Sequence, residues 1–406
     1  SRAAGQLSVP DTQELENFRL EVREWLAANL TDELREVDRK ATSVFIEKPF
    51  NLAWQKILHS KGWVAPHWPK EYGGPGWNEM QRYIFESEYA TAGAPNLSPM
   101  GLRMVAPSIM RFGTPEQKAY YLPRLLAGED YWCQGYSEPQ AGSDLSALAL
   151  RADKDGDDYV LNGSKIWTTH AHYANRMFCL VRTNRDGRPQ QGITFLLLDM
   201  ATPGISVNPI KSISGDHDFN QVFFDNVRVP QANRLGEEDQ GWGVAKYLLE
   251  FERSAAYAAG LKAALADVRA MATGADDGQG GRLIDRPAIS RRFATLAGQL
   301  DAIHAVEQTV MAKIARGENP GPASSMLKVQ GTEAQQQIQE LAVEIAGDYA
   351  APYQIEERQP GSNIEGVGPD EMLAVTARYF NGRAASIYGG SNEIQRGIMA
   401  KMVLGI

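Results

Sequence analysis

Cysteine is scarce in this 406-residue chain, which contains only Cys133 and Cys179. Two isolated thiols cannot build a disulfide framework or a zinc site, and they favour a compartment that keeps thiols reduced. No apolar run approaches the ~18 residues that a membrane-spanning helix needs, and the first five residues lack the apolar core of a secretory signal. We therefore expect no membrane span and a location in the cytoplasm of a bacterium, or in the mitochondrial matrix of a eukaryote.

Positive charge is not in excess, because 41 Lys and Arg residues face 50 Asp and Glu residues, for a net charge of -9. This balance argues against nucleic acid as a partner, although it does not exclude a phosphorylated small molecule held by local groups. No P-loop is present, and the glycines of residues 241–246 lack the strand-helix context of a dinucleotide site. His170 and His172 have no evident third ligand, so we expect loop histidines and no metal site.

The chain is long enough for more than one hydrophobic core, and its periodicity changes along the sequence. Apolar residues recur at helical spacing from about residue 10 to 130. Short β-rich runs follow up to about residue 230, with turn signals such as Asn162-Gly163 and Pro203-Gly204 between them. These runs are residues 159–161, 177–181, 193–198 and 221–224.

Helical periodicity returns after about residue 241. The predicted helical segments are 241–273, 288–316, 322–349 and 370–380, with loops at 274–287 and 357–369. We predict an α+β fold with three domains. These are an N-terminal helical domain (residues 1–130), a middle, mostly antiparallel β domain (131–235) and a C-terminal helical bundle (236–406).

One acidic residue falls on the apolar face of a predicted helix. Three and four residues before Glu252 are Leu249 and Leu248, and alanines follow at positions 255, 256 and 259. Apolar neighbours make a carboxylate costly to ionise, so the pKa of Glu252 should rise toward values useful for proton abstraction near neutral pH. Glu252 is therefore a candidate catalytic base, and a carboxylate neutralised by a basic core residue is an equally weighted alternative. Glu250 has charged and polar helical neighbours and is predicted to be solvated.

Two segments near the start of the β domain combine small residues and hydroxyl groups. In residues 134–147, backbone N–H groups and the hydroxyls of Ser137 or Ser143 suit an anion or the polar edge of a ring. In residues 163–169, the flat side chain of Trp167 stands beside two threonine hydroxyls. Both segments also suit a purely structural part, a turn for the first and a core tryptophan for the second.

Four segments, in this order, resemble motifs of the acyl-CoA dehydrogenase family, and the likeness runs from roughly residue 14 to 405. They are Tyr136-Ser137-Glu138-Pro139 with Gly142-Ser143-Asp144, then residues 162–169, 219–230 and 387–396. The resemblance implies an FAD enzyme that converts an acyl-CoA thioester into a trans-2-enoyl-CoA. In that reaction a base removes a proton from the α-carbon while the β-hydrogen leaves as hydride to flavin N5.

The resemblance also implies which residues form the site. Some positions match the loop over the flavin, the pair beside its ring and the stretch at its nucleotide half. These cofactor-binding positions are Gln134, Tyr136, Ser137, Gly142, Ser143, Trp167, Thr168, Thr169, Ser391 and Glu393. The acyl-CoA positions are Ser143, Arg253 and Gly389.

The chain departs from the family pattern at the base. Many members carry Tyr-Glu-Gly with the Glu as base, whereas this chain has Tyr388-Gly389-Gly390. Members acting on branched or long acyl groups place the base on an earlier helix, just before an Arg, and Glu252-Arg253 occupies that place. Gly389 frees volume where a carboxylate would stand, so we expect a bulky, branched or cyclic acyl group.

Other departures concern the cofactor and the branch of the family. Residues 286–299 and 343–348 lack the patterns that contact FAD in typical members, which leaves contacts to the adenosine half of FAD unassigned. Together with residues 320–328, these segments resemble a bacterial branch that acts on dicarboxyl, alicyclic or steroid side-chain CoA esters. Members of that branch sometimes work as heteromers.

The expected partners are an acyl-CoA substrate, an electron-transfer flavoprotein as electron acceptor, and further subunits in a homodimer, homotetramer or heteromer. Two alternatives follow from the same resemblance. One is a non-catalytic or half-site subunit of a heteromeric dehydrogenase. The other is an acyl-CoA oxidase, which would produce peroxide under air.

Overall fold

Helices occupy both ends of the chain and a β-sheet lies between them in sequence, which confirms the predicted α+β class. The computed structural model describes residues 12–43, 45–252 and 256–406, without the side chains of residues 250–252 and 315. The α-helices, in chain order, are α1 (Thr12–Asn29), α2 (Asp32–Lys40), α3 (Lys48–Lys61), α4 (Glu79–Thr91), α5 (Ala106–Phe112), α6 (Pro115–Ala127), α7 (Gly241–Glu252), α8 (Ala258–Gly274), α9 (Pro287–Ala315), α10 (Ala323–Ala346), α11 (Val375–Gly382) and α12 (Asn392–Met399).

The described residues form two compact units. The helical unit consists of described residues within 1–42, 77–95 and 255–406, and the sheet unit of those within 43–76 and 96–254. In the helical unit, α8, α9 and α10 pack on one another, and α11 and α12 pack on α10. Leu265, Leu300 and Leu341 lie in the apolar core of these helices, as amphipathic spacing requires.

The sheet unit contains a seven-stranded sheet in the described part of the chain. The strand order is β1-β4-β2-β3-β7-β6, and β5 pairs with β4. Most pairs are antiparallel, whereas β1 and β2 each pair with β4 in parallel. The strands are β1 (Trp132–Gly135), β2 (Arg151–Asp155), β3 (Asp158–Lys165), β4 (Arg176–Arg182), β5 (Ile193–Asp199), β6 (Ile205–Ile210) and β7 (Phe219–Pro230).

The four predicted β-rich runs lie in β3, β4, β5 and β7, and β1, β2 and β6 were not predicted. β2 has a single buried residue, Ala152, among charged ones, so it carries no apolar run. The prediction that Asn162-Gly163 separates strands is wrong, because β3 continues through it with an irregular register. Gly163 has a φ of 143°, and a Cβ there would lie 3.3 Å from the Cα of Leu150.

The predicted helical segment 241–273 is wrong as one segment. Helix α7 ends at Glu252, α8 begins at Ala258, and Ala256 and Tyr257 lie outside both helices. The buried carboxylate of Glu307 accepts the backbone N–H of Tyr257 at 2.6 Å and that of Ala258 at 3.0 Å. Because these bonds satisfy N–H groups that a helix start leaves unpaired, a new helix begins here. Alanines 256 and 259 are therefore not on the helix that carries Glu252.

The other predicted helical segments coincide with helices of the structure, and the two predicted loops overlap the α-helices only at Gly274 and Pro287. Segments 288–316 and 322–349 correspond to α9 and α10, while 370–380 contains a short turn followed by α11. Within the described ranges, no helix combines the length and the apolar character needed to cross a bilayer.

Candidate functional site

A buried ion pair joins the two motif segments of the sheet unit. The Lys165 Nζ, which is 0% exposed, donates to the Glu138 carboxylate at 2.8 Å and to the Tyr136 carbonyl at 3.0 Å. The backbone N–H of Ile166 donates to the Ser137 carbonyl at 2.9 Å. The loop that begins at Tyr136 is therefore fixed against the end of β3.

The Glu138 carboxylate is compensated on both oxygens. One oxygen accepts the backbone N–H of Ala149 at 2.6 Å, and the other accepts that of Leu150 at 3.0 Å together with the Lys165 ammonium. A buried carboxylate is tolerated only with such partners. Sequence reasoning did not assign Glu138 and Lys165 to the site. One sequence signal for a buried ion pair was available. Lys165 has the same two-residue alternation along its strand as Tyr159 and Leu161, which places a cation on the buried face.

The predicted cofactor residues of this loop differ in accessibility. Gln134 lies in β1 and is half-buried, as is Ser137. Tyr136 is buried, with its ring edge-on to Phe178 at 5.7 Å between centroids. Gly142 and Ser143 are exposed. The loop therefore presents its second half to solvent while its first half is anchored.

Trp167 begins a strained turn just after β3. Its φ is 59°, in the left-handed region that bulky residues rarely adopt, and His170 has a φ of 58°. Such backbone costs about 1–3 kcal/mol per residue and persists only where the surroundings over-determine it. The indole is 58% exposed and lies edge-on to Phe219. The alternative that Trp167 is a core residue is therefore wrong.

Thr168, which follows the exposed Trp167, is buried, and Thr169 is half-buried. The backbone N–H of Thr168 donates to the Asn220 carbonyl at 3.0 Å, and the Thr168 carbonyl accepts from the Asn220 side-chain amide at 3.1 Å. The Thr168 Oγ1 has no hydrogen-bond partner among the described residues. Buried hydroxyls nearly always have a hydrogen-bond partner, so the Thr168 hydroxyl is an unused polar group at this turn.

Three histidine side chains, those of His170, His172 and His217, cluster at this turn. The rings of His172 and His217 stack with centroids 3.9 Å apart, and His170 lies 5.7 Å from His172. Burial, and then the neighbouring His172 and His217, lower the pKa of His170 to about 3. Burial, and then His217, lower the pKa of His172 to about 4. The two predicted loop histidines, His170 and His172, lie in the turn after β3. In the described portion of the chain, no group of His, Cys, Asp or Glu side chains has an arrangement that could hold a metal ion.

In the helical unit, a glycine pair forms a second left-handed turn. Gly389 has a φ of 66° and Gly390 a φ of 80°. The Lys328 Nζ donates to the Gly390 carbonyl at 2.9 Å, and the Gln395 side-chain amide donates to the Gly389 carbonyl at 3.2 Å. The φ of 80° is a backbone reason for glycine at 390, and a Cβ there would lie 2.7 Å from the Gln395 Nε2, so that side chain would have to move.

The turn leads directly into α12. The Ser391 Oγ accepts the backbone N–H of Ile394 at 3.2 Å and so caps this helix. Glu393 is exposed in its first turn. Buried Asn392 accepts from Lys328 at 2.9 Å and donates to the Thr332 hydroxyl at 3.1 Å. The predicted nucleotide-contacting stretch is therefore a capped helix start.

The predicted base lies at the edge of what the structure describes. Glu252 is the last residue of α7, and its side chain is outside the described atoms, as is all of Arg253. Four residues earlier on α7, Leu248 is fully buried. The roles of Glu252 and Arg253 therefore stay predictions.

Three family models match consecutive parts of the chain. The N-terminal domain model of acyl-CoA dehydrogenases matches residues 12–129, the middle domain model 133–227 and the C-terminal domain model 239–404. The chain belongs to the acyl-CoA dehydrogenase family. The predictions of family, three-part architecture and enzyme class are thereby confirmed.

Individual relatives of known name match this chain over nearly its whole length. The acyl-CoA dehydrogenase IpdE1 of Mycobacterium tuberculosis is 34% identical over 400 residues, covering 97% of this chain and 98% of the relative. The ChsE4-ChsE5 complex from Mycobacterium tuberculosis contains a chain with a TM-score of 0.80 and 33% identity, covering 98% of this chain and 99% of that one. The Tcur3481-Tcur3483 steroid acyl-CoA dehydrogenase has a TM-score of 0.81 and 29% identity, covering 99% of each chain.

Proposed function

We propose that this protein is an FAD-dependent dehydrogenase that oxidises the α,β-bond of an acyl-CoA thioester with a bulky or cyclic acyl group. The observation that carries the cofactor assignment is the strained Trp167 turn. Trp167 is 58% exposed and its backbone φ is 59°. The next residue, Thr168, has a buried hydroxyl with no partner among the described residues. Strain that is kept at one exposed aromatic residue supports a binding role for it.

The residues of the sheet unit fit a flat cofactor with a polar edge. The Trp167 indole offers a stacking face, and the half-buried Thr169 and the orphaned Thr168 hydroxyl offer hydrogen-bonding groups. The loop carrying Gln134, Tyr136, Ser137, Gly142 and Ser143 is anchored to the same turn through Lys165. In the helical unit, we assign the start of α12, with Ser391 and Glu393, to the nucleotide half of FAD.

The proposed chemistry divides between cofactor and chain. Bound FAD would supply the acceptor for the β-hydrogen, which leaves the substrate as hydride with its electron pair. The Glu252 carboxylate takes the α-proton, and the electron pair of that C–H bond forms the new α,β double bond. Arg253 and Ser143 bind the acyl-CoA. After product release, the proton passes from Glu252 to the medium.

Gly389 supports the choice of a large acyl group. Residue 389 is glycine, so no carboxylate stands where many family members have their base, and its φ of 66° is one that L side chains rarely adopt. One solved relative, which covers 99% of this chain, is a steroid acyl-CoA dehydrogenase. We therefore propose a steroid side-chain or other cyclic CoA ester as the substrate class.

A heteromeric assembly is the second candidate, because one solved relative is a complex of two different chains. In that case this chain is one subunit of a mixed dehydrogenase, and a partner chain completes the site. The alternative assembly is a homodimer or homotetramer. An electron-transfer flavoprotein is the proposed electron acceptor, and the two buried free thiols support a reducing compartment such as a bacterial cytoplasm or a mitochondrial matrix.

We also propose the domain division 1–130, 131–235 and 236–406. Family matches that end at residue 129, cover 133–227 and begin again at 239 support these boundaries. Expressing residues 131–235 alone and measuring cooperative thermal unfolding would test the middle boundary pair. A fragment without a cooperative transition would argue against it.

Anaerobic titration with a panel of linear, branched and steroid side-chain acyl-CoAs tests the function. The purified protein should carry FAD, and its flavin absorbance should bleach with the bulky esters more than with the short linear ones. A protein that purifies with FAD but keeps it oxidised with every ester would support the half-site alternative. Release of peroxide under air would instead identify an oxidase.

Glu252→Gln tests the base. The variant should bind FAD but lose flavin bleaching, because the amide cannot take a proton at neutral pH. Glu250→Gln, two residues earlier on the same helix, is the matched control and should bleach like the wild type. Bleaching retained in Glu252→Gln would place the base elsewhere.

A further inference from the structure

Asn220, in β7, forms hydrogen bonds with the Trp167 turn. It is fully buried, and it follows Phe219, on which the Trp167 indole packs. Its side-chain amide donates to the Thr168 carbonyl at 3.1 Å, while its own carbonyl accepts the Thr168 N–H at 3.0 Å. One asparagine thus holds both backbone polar groups of the residue between Trp167 and Thr169.

The remaining hydrogen-bonding capacity of this amide goes to two histidines. The Asn220 Nδ2 lies 3.0 Å from the His172 Nδ1, and the Oδ1 lies 2.7 Å from the His217 Nε2. The Thr168 carbonyl can only accept, so the amide nitrogen must face it. This orientation in turn requires His172 to accept at Nδ1 and His217 to donate at Nε2, which two neutral rings can do.

We propose that Asn220 is a positioning residue for FAD binding: through Thr168, it holds Trp167 and Thr169 in the orientation that contacts the cofactor. The inference rests on the proposed function and adds a residue that touches neither cofactor nor substrate. Asn220 acts on the turn because a left-handed Trp167 has alternative, relaxed conformations, and the two bonds to Thr168 exclude them. The paired histidines fix which way the amide points.

The test compares Asn220→Ala and Asn220→Asp with matched changes at Asn226. Asn226 lies on the same strand, is exposed and bonds to Asn162 at the sheet surface. The measurements are the Kd for FAD by equilibrium titration of the apoprotein, the visible circular dichroism of the bound flavin, and the Tm of each apoprotein. Visible circular dichroism reports the asymmetric surroundings of the flavin rather than the stability of the fold.

We expect Asn220→Ala to weaken FAD binding at least tenfold and to change the circular dichroism of the remaining bound flavin. Asn220→Asp should weaken binding further, because a carboxylate oxygen then faces the Thr168 carbonyl. Asn226→Ala and Asn226→Asp should stay within twofold of the wild type in Kd. A lowered Tm in the Asn220 variants with an unchanged Kd and spectrum would overturn the positioning role.

If the Asn220 variants do not fold, His172→Gln supplies the test, because it removes the imidazole that bonds to the Asn220 amide nitrogen and stacks on His217, while Asn220 itself is kept. A Kd raised by about threefold or more, with a changed spectrum, supports the inference, and a wild-type Kd and spectrum overturn it. FAD binding by the wild-type chain also distinguishes failure of the proposed function from failure of the Asn220 role. A wild-type chain that binds no FAD refutes the proposed function, whereas wild-type binding that survives in the Asn220 variants refutes only the role of Asn220.

Discussion

The turn at Trp167 in the sheet unit and the turn at Gly389-Gly390 in the helical unit both use left-handed backbone, but with different residues. Glycine adopts this conformation at little steric cost, whereas a tryptophan is strained in it. The glycine turn is held by donors from Lys328 and Gln395 to its carbonyls. The Trp167 turn is held by Asn220, which hydrogen-bonds to both the N–H and the carbonyl of Thr168. A strained turn therefore marks a place where the side chain matters, and an unstrained one a place where absence of a side chain matters.

The largest expected effect comes from the buried ion pair beside the Trp167 turn. Lys165→Met should lower the free energy of unfolding by about 3–5 kcal/mol, because it leaves the Glu138 carboxylate buried without its cation. Chemical denaturation measures this. Arg228→Met is the control, since its pairs with Asp155 and Asp158 are exposed and should contribute below about 1 kcal/mol. Equal losses in the two variants would contradict the assignment of Lys165 as the anchor.

Acid should destabilise the fold through the buried His170. The pKa of His170 lies near 3 in the folded chain, below its ordinary value of 6.5, so folding favours the neutral ring. This contribution to stability is complete above pH 6.5 and is lost as pH falls toward 3. At pH 5 the loss is about 2 kcal/mol.

His170→Gln should therefore reduce the difference in unfolding free energy between pH 7 and pH 5 by about 2 kcal/mol relative to the wild type. The exposed His59→Gln on α3 is the control and should keep the wild-type difference. A His170→Gln variant with an unchanged pH dependence would show that this histidine is not responsible.

The glycine turn should respond to a single added methyl group. Gly390→Ala should lower the free energy of unfolding by about 1–2 kcal/mol, because a Cβ disfavours the φ of 80° and meets the Gln395 amide. Gly397→Ala, inside α12 with open space around a Cβ, should instead raise it by about 0.5–1 kcal/mol. Thermal unfolding distinguishes the two signs, and a loss at both positions would contradict the distinction.

The smallest expected effect is a gain. Trp167→Asn should raise the stability of the apoprotein by roughly 0.5 kcal/mol, because asparagine tolerates a φ of 59° better than tryptophan. The same change should weaken FAD binding through loss of the indole. Trp167→Phe retains the strained backbone and should show no such gain in stability. An apoprotein made less stable by Trp167→Asn would mean that the turn is not strained in solution.

Much of the fold followed from local patterns, and the features that escaped prediction depend on contacts with other parts of the chain. Long amphipathic segments and β-rich runs predicted α9, α10, β4 and β5, because burial imposes a period on the sequence. The polar β2 escaped prediction because its place comes from pairing with its neighbours. The break before α8 escaped too, since Glu307 caps it from 50 residues away.

Some residues of the candidate site could be predicted from the sequence and others could not. The exposed loop, Trp167 and the glycine pair were predicted from motifs, which are contiguous in sequence. Asn220 lies in one of the four motif segments but received no role, because its partners Thr168 and His172 reach it only when β7 pairs with β3. The Lys165 ion pair was hidden for the same reason, as its carboxylate lies 27 residues away.

Local periodicity and contiguous motifs were enough to predict the alternation of helical and β-rich regions, the family and the residue types available for chemistry. The exposure and strain of Trp167, the lack of a partner for the Thr168 hydroxyl among the described residues, and the separation of α7 from α8 emerged only from the folded chain. Burial and hydrogen-bond satisfaction involve groups that are distant in sequence. Their energies exist only once the chain has brought those groups together.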